Sequence, residues 1–245
     1  MLATLAMLGL FFVGVTAWHP AAAKAVQGFA DEHVRAGMTV LDVGGRDVNG
    51  GARPIMEAKG AKYTCQDMQE DPSVDVVSPP GEALPFADGS FDVVMTSSVL
   101  EHDPMFWVTI RELARVTKMG GKIFCSAPGA GPYHAYPGDN WRFYKDAPAA
   151  LAFWCGKTVE GKNYPLEIVS QRFMGDRFNM NVMVWARVDT AVHTFTIGDA
   201  TRGGGGRVIK GNGTVSMPIQ KAKRASQRTP HGESMDGARP PGGRR

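Results

Sequence analysis

The turn Val40–Gly50, VLDVGGRDVNG, places Asp42, Gly44, Gly45, Arg46 and Asn49 directly after an apolar run. A glycine turn in that position lets backbone close on a nucleotide-like ligand. Asp67 stands at the end of the next apolar run, seventeen residues past Gly50, with Met68 beside it. Ser97, Ser98 and His102 follow a third run, and His134 sits in PGAGPYHAYPGDNWRFY with Asp139 and Arg142. Imidazoles titrate near neutral pH, so His102 and His134 are candidate general bases. Each also has a plainer reading, His102 as a loop histidine bonded to backbone and the His134 loop as a seat for the next helix. Asp42 has two readings of equal weight: it ties down the turn amides, or it orders the amino group of a ligand.

The turn lacks both common phosphate signatures. G-x-G-x-x-G from Gly44 needs glycines where Arg46 and Asn49 stand, and from Gly45 it needs one where Asp47 stands. No Gly-Lys-Ser/Thr follows. Asp47 would repel a pyrophosphate at a helix N-terminus. A cofactor without phosphate removes the conflict. S-adenosylmethionine offers ribose hydroxyls to Asp67, a sulfonium that tolerates carboxylates, and an aminoacyl carboxylate for the turn amides or Arg46. Small residues at Ser97 and Ser98 leave room for the sulfonium, and Met68 suits adenine packing. No His/Asp/Glu cluster has metal-ligand spacing, and Cys65, Cys125 and Cys155 lack C-x-x-C spacing, so no metal is expected. Cys65 and Cys125 fall in apolar runs and read as small buried hydrophobes, and the odd, unpatterned count fits a reducing compartment, which suggests a cytoplasmic location.

The elements that must hold these residues alternate. A helical pattern runs from Ala21 to Gly37, strands are predicted at 38–44, 62–67, 74–77, 91–98 and 121–128, and a short helix at 52–61. A helix with Asp103 as N-cap, Pro104 in its first turn, Phe106, Ile110 and Leu113 on its buried stripe, and Lys118 and Gly120 at its end joins the last two strands. Asp146 and Pro148 start another helix ending near Gly156, and strands at 166–173 and 180–188 close the pattern. The expected fold is an α/β three-layer Rossmann-like sandwich, with a mostly parallel seven-stranded sheet whose last strand is antiparallel. Ligands in such folds bind beyond the carboxyl ends of the strands, where strand order reverses.

Three stretches are expected: residues 1–17, an apolar extension; 18–188, the domain; and 189–245, a disordered Gly/Pro-rich tail. Residues 199–245 hold ten Lys/Arg against three Asp/Glu, so they carry +7 of a chain whose formal net charge is +3. The tail's composition buries too little apolar surface to offset chain entropy. Its basic run KAKRASQR has no interleaved aromatics and reads as solvated, with no specific nucleic-acid partner. Residues 1–17 are uncharged and short of the roughly 20 apolar residues a membrane span needs. They are an anchor giving membrane contact, a cleaved signal, or an extension ahead of the native start.

Four segments in order, VLDVGGRDVNG, YTCQDM, LPFADGSFDVVMTSSVLEHDPMFW and ELARVTKMGGKIFCSAP, resemble class I S-adenosylmethionine-dependent methyltransferases of the type 11 methyltransferase-domain family. The resemblance spans roughly residues 18–188, and GPYHAYPGDNWRFYKDAPAAL resembles a segment of one subgroup. Members of that subgroup begin near a pair like His19–Pro20, which favours the extension reading of residues 1–17. The family's first motif usually carries later glycines where this chain has Arg46 and Val48. An Asp that contacts adenine is replaced by Pro80 and Gly81, so the resemblance implies that adenine is held by backbone groups or Glu82, with Ala83 beside it. It implies methyl transfer from S-adenosylmethionine to a small-molecule or glycan acceptor. The departures also motivate an alternative, a pseudo-methyltransferase acting as an interaction module.

Overall fold

A computed structural model describes residues 20–48, 50–175, 177–197 and 213–218. Residues 1–17 and Asn49 lie outside the described residues, as does most of the tail.

The central sheet is built from β1 (Thr39–Val43), β2 (Lys62–Asp67), β3 (Val76–Val77), β4 (Phe91–Ser97), β5 (Thr117–Pro128), β6 (Leu166–Met174) and β7 (Met180–Arg187), in the order β3-β2-β1-β4-β5-β7-β6. β7 runs antiparallel to both its neighbours, and the pairings among β1 to β5 are parallel. The apolar run of β1 is buried on both faces, as parallel strands require. Val40 faces a core with Val93, Phe124 and the helix α1 (Pro20–His33), through its Ala25, Val26 and Phe29, and with Met56 of α2 (Arg53–Ala58). Leu41 and Val43 face the opposite core with α3 (Phe106–Val116) and α4 (Ala147–Gly156). The chain steps outward from β1 to β3, then returns to β4 on the other side. The reversal between β1 and β4 puts a crevice beyond their carboxyl ends.

α4 starts after Asp146 and ends at Gly156, as expected. α3 differs at both ends. It begins at Phe106, with Met105 rather than Asp103 as N-cap. Asp103 is held one step earlier: its carbonyl accepts the Trp141 indole N–H at 2.9 Å, and its carboxylate accepts the Met105 N–H at 2.8 Å. At the other end, Lys118 and Gly120 already belong to β5. The final carbonyls of α3 are served instead by Arg187 of β7, whose Nη1 donates to the oxygens of Ala114, Arg115 and Thr117 at 2.7–2.8 Å. Lys118 pairs with Asp92 at 2.8 Å.

Twelve residues of the stretch expected to be a disordered tail are paired strands, β8 (Val192–Ile197) and β9 (Gly213–Pro218), which form a separate antiparallel ribbon. Val192, Thr194, Thr196 and Ile197 give β8 the β-branched character of a strand despite its glycine-rich surroundings. All three cysteines are free and buried. No helix among the described residues is long and apolar enough to cross a membrane.

Candidate functional site

A cleft of about 770 Å³ opens beyond the carboxyl ends of β1, β2, β4 and β5. Its floor is the turn after β1. The Gly44 N–H donates to the Gln66 carbonyl at 2.8 Å, which ties the turn to β2. Gly44 has φ +73°, and a Cβ there would lie 2.5 Å from Val99 Cγ2. A Cβ on Gly45 would lie 2.6 Å from Asp42 Cγ. Both glycines are thus fixed by what packs behind the turn, and only Gly44 lines the cleft. Asp42 is buried beneath Gly45, where its carboxylate accepts the Tyr63 hydroxyl at 2.5 Å. Burial pushes its pKa up to about 7. The Gly44 and Gly45 amides donate to the Gln66 carbonyl and not to Asp42, so the expectation that Asp42 ties down the turn amides is corrected: it supports the turn by packing beneath Gly45. Asp47 Oδ1 accepts the Gly50 N–H at 2.6 Å, so that carboxylate closes the turn and does not line the cleft.

Asp67 ends β2 and faces the cleft with a largely buried side chain. Its carboxylate accepts the Gln69 N–H at 3.1 Å and the Arg46 N–H at 3.4 Å. The Arg46 side chain lies over it, Nε 3.9 Å from Oδ1, and reaches on to donate to the Tyr136 hydroxyl at 3.2 Å. Arg46 therefore bridges the β1 turn to the loop after β5. Met68 lines the same wall and is half exposed.

The opposite wall is Ser78–Glu82 with Leu84. Glu82 lines the cleft, whereas Ala83 turns toward a separate, smaller cleft beside Arg111 and Tyr164. This wall is held by α3. Glu112 accepts the Leu84 N–H at 2.7 Å and the Arg115 guanidinium at 2.6 and 2.8 Å. Arg115 in turn donates to the carbonyls of Leu84 and Phe86.

Ser97 ends β4 at the far side and Ser98 follows it. Ser97 Oγ lies 2.9 Å from Ser126 Oγ, and Ser98 has φ +57°, a left-handed conformation uncommon outside glycine. Glu101, His102 and His134 gather beyond them. The loop carrying His134 is sewn to this segment: the N–H groups of Asn140 and Trp141 donate to the Glu101 carbonyl at 2.7 and 3.1 Å, and Asn140 Nδ2 donates to the His102 carbonyl at 2.9 Å. His102 and His134 meet edge to face with centroids 5.0 Å apart. His102 Nδ1 donates to the Gly138 carbonyl. Burial pulls the His102 pKa down. His134 Nδ1 lies 3.1 Å from Asp139 Oδ2, and Arg142 holds Asp139 well below the usual carboxylate range.

Sequence spacing shows no metal-ligand pattern, yet the fold gathers three groups that could serve as ligands. Glu101, His102 and His134 each offer a ligand atom within 4.8 Å of the others. Spacing along the chain hid this, because the loop after β5 folds back. Glu101, Tyr136 and Phe178 also line the cleft and were missed. Glu101 was legible only as the neighbour of His102. Tyr136 and Phe178 reach the cleft through loop conformation that no periodicity reports.

Residues 41–125 match a family model described as a methyltransferase domain. An uncharacterized methyltransferase of Mycobacterium sp. (strain JLS) is 40% identical over 99 residues, 38% of this chain and 39% of that protein. One from Mycobacteroides abscessus is 34% identical over 128 residues, 46% of this chain and 49% of that protein. The chain thus spans less than half the length of these curated relatives. Among solved structures, Burkholderia thailandensis 1,6-didemethyltoxoflavin-N1-methyltransferase, crystallised with 1,6-didemethyltoxoflavin and S-adenosylhomocysteine, superposes with a TM-score of 0.55 at 17% identity, over 69% of this chain and 79% of that one. The [4+2]-cyclase SpnF gives 0.52 at 14% identity, over 68% and 80%. At these identities the likeness shows the fold alone, and the two neighbours carry different names for their chemistry.

Proposed function

We propose that this chain, which belongs to the class I methyltransferase-domain family, binds S-adenosylmethionine in the cleft and transfers its methyl group to an acceptor held against Glu101, His102 and His134. The observation that carries this is the placement of Asp67 beside the Gly44 turn at one end of the cleft, with two imidazoles at the other. Asp67 would accept the ribose hydroxyls. Gly44 and Arg46 would face the aminoacyl end, Met68 and Pro79–Glu82 the adenine, and Ser97 and Ser98 the sulfonium.

In the transfer, an acceptor lone pair forms the bond to the methyl carbon while the carbon–sulfur bond breaks and its electron pair stays on sulfur. The protein's main task is to hold the two groups in line, worth up to about 7–11 kcal/mol. A hydroxyl or amine acceptor must also lose a proton. His102 suits that role: its Nδ1–H is committed to Gly138, and its lowered pKa leaves Nε2 free to accept. The acceptor is a small molecule or a glycan, a class suggested by the family likeness. Free, buried thiols support a reducing, cytoplasmic setting.

Calorimetric titration with S-adenosylmethionine tests the reading. Asp67→Ala removes charged hydrogen bonds worth about 1.5–3 kcal/mol each, so affinity falls at least tenfold. No binding at millimolar cofactor refutes the proposal. Radiolabelled transfer into fractionated metabolite and polymer pools then identifies the acceptor, and binding without any transfer favours the pseudo-enzyme.

A further inference from the structure

We infer that Glu101, His102 and His134 form a site for one divalent first-row transition-metal ion on the wall of the cleft. Three independent features of the geometry lead there. The first is proximity: one ligand atom from each residue lies within 4.8 Å of the other two. A tetrahedral ion with ligands at about 2.0–2.2 Å would draw them to about 3.4 Å, a small side-chain adjustment.

The second is proton placement. A metal-bound imidazole presents one nitrogen as a lone pair while the other donates to a carbonyl or carboxylate. Both histidines are arranged this way. His102 commits Nδ1–H to the Gly138 carbonyl, and its Nε2 lies 3.8 Å from Glu101 Oε1. His134 sets Nδ1 against the Pro132 carbonyl at 3.4 Å, with Asp139 Oδ2 at 3.1 Å, and Asp139 is itself anchored by the His134 N–H and by Arg142. Each Nε2 is left to bind.

The third is Glu101. It is 1% exposed, and its Oε2 is buried with no hydrogen-bond partner among the described residues. A buried carboxylate oxygen left unsatisfied is costly. Arg142, the nearby cation, already donates to both Asp139 oxygens at 2.5 and 2.6 Å. A divalent ion between Glu101 and the two imidazoles supplies the missing charge.

Two nitrogens and one carboxylate favour zinc, iron, cobalt or manganese over magnesium and calcium, which prefer all-oxygen sets. All three residues line the cleft, so a further coordination position opens toward whatever the cleft holds. That is the arrangement of a catalytic ion and not a structural one. With the ion bound, the His102 lone pair is used in ligation. An acceptor hydroxyl coordinated at the open position would then lose its proton to solvent because the ion lowers its pKa. The site itself does not rest on methyl transfer and is tested without it.

The full chain, stripped with a chelator and dialysed, is titrated with Zn²⁺ by calorimetry and with Co²⁺ by visible absorption. One equivalent per chain is expected. His102→Ala and His134→Ala should each weaken binding at least 100-fold, and Glu101→Gln at least tenfold. Asp139→Asn, which takes the carboxylate from behind His134 and weakens the Arg142 pair that positions it, should weaken it 10–100-fold while the cobalt spectrum keeps its shape. His134 is partly exposed, so its variant is the one best able to keep the fold, checked by circular dichroism. Absence of stoichiometric binding, or binding unchanged in folded His134→Ala and His102→Ala proteins, overturns the inference.

Discussion

Asp42 makes the turn's support measurable. Its carboxyl is pushed from 3.8 up to about 7 by burial, with Tyr63 hydrogen bonding opposing and the nearby Asp67 charge adding. Between those two values the folded protein keeps a proton that the unfolded chain has lost. Stability therefore falls as pH rises through this window. A tenfold change in acidity corresponds to about 1.4 kcal/mol, so the full loss is roughly 4 kcal/mol. Asp42→Asn keeps an oxygen to accept the Tyr63 hydroxyl but cannot ionise. Any constant offset from its new N–H groups leaves the pH slope unaffected.

The assay is urea unfolding of both proteins at half-unit steps from pH 4 to pH 8. The difference between them should grow in favour of Asp42→Asn with pH, by several kcal/mol, and level off above pH 7. Parallel curves would refute the burial assigned to Asp42. Cofactor affinity, measured on the same samples, separates the two roles. A change under twofold means Asp42 acts through the turn alone, and a tenfold loss means it reaches the ligand.

Two further perturbations bear on the walls of the cleft. Glu112→Ala removes the acceptor of the Leu84 N–H and one of two carboxylates on the partly buried Arg115, which keeps Asp88 at 2.9 Å, so urea unfolding should show a loss of about 1–3 kcal/mol and calorimetry a weaker cofactor. Gly44→Ala should cost about 1–3 kcal/mol from the clash with Val99 in addition to its positive φ, and adding Val99→Ala should recover the steric part only, as a double-mutant cycle will show.

The sheet was legible because its strands are short apolar runs separated by glycine turns, and burial on both faces writes itself as continuous hydrophobicity. The alternation of KYTCQD coincides with β2, and Asp146 and Pro148 mark the start of α4. The ends of α3 were misplaced for a physical reason. Local capping signals at Asp103, Lys118 and Gly120 were present, but Trp141 and Arg187 reach in from distant segments and change the hydrogen-bond partners at both ends. No local rule sees a partner many residues away.

The same division runs through the site. Residues fixed by strand ends, Gly44, Asp67, Ser97 and Ser98, were found by the rule that ligands sit beyond the carboxyl edge. Arg46 departs from the glycine usual there, and its partners, Asp67 and Tyr136, belong to other segments. The family-like run from Glu112 to Arg115 suggested a signature, and its hydrogen bonds show what it does physically: it holds Leu84 and Phe86, and with them one wall of the cleft. Glu101 shows the limit most clearly. As a lone letter before His102 it carries no message. It becomes informative only when the 129–145 loop hydrogen-bonds its carbonyl, buries its carboxylate and delivers His134 beside it. The chemistry of that end of the cleft is a property of the loop's anchoring, so weakening the anchor at Asn140 should disturb the histidine pair before it disturbs the Asp67 end.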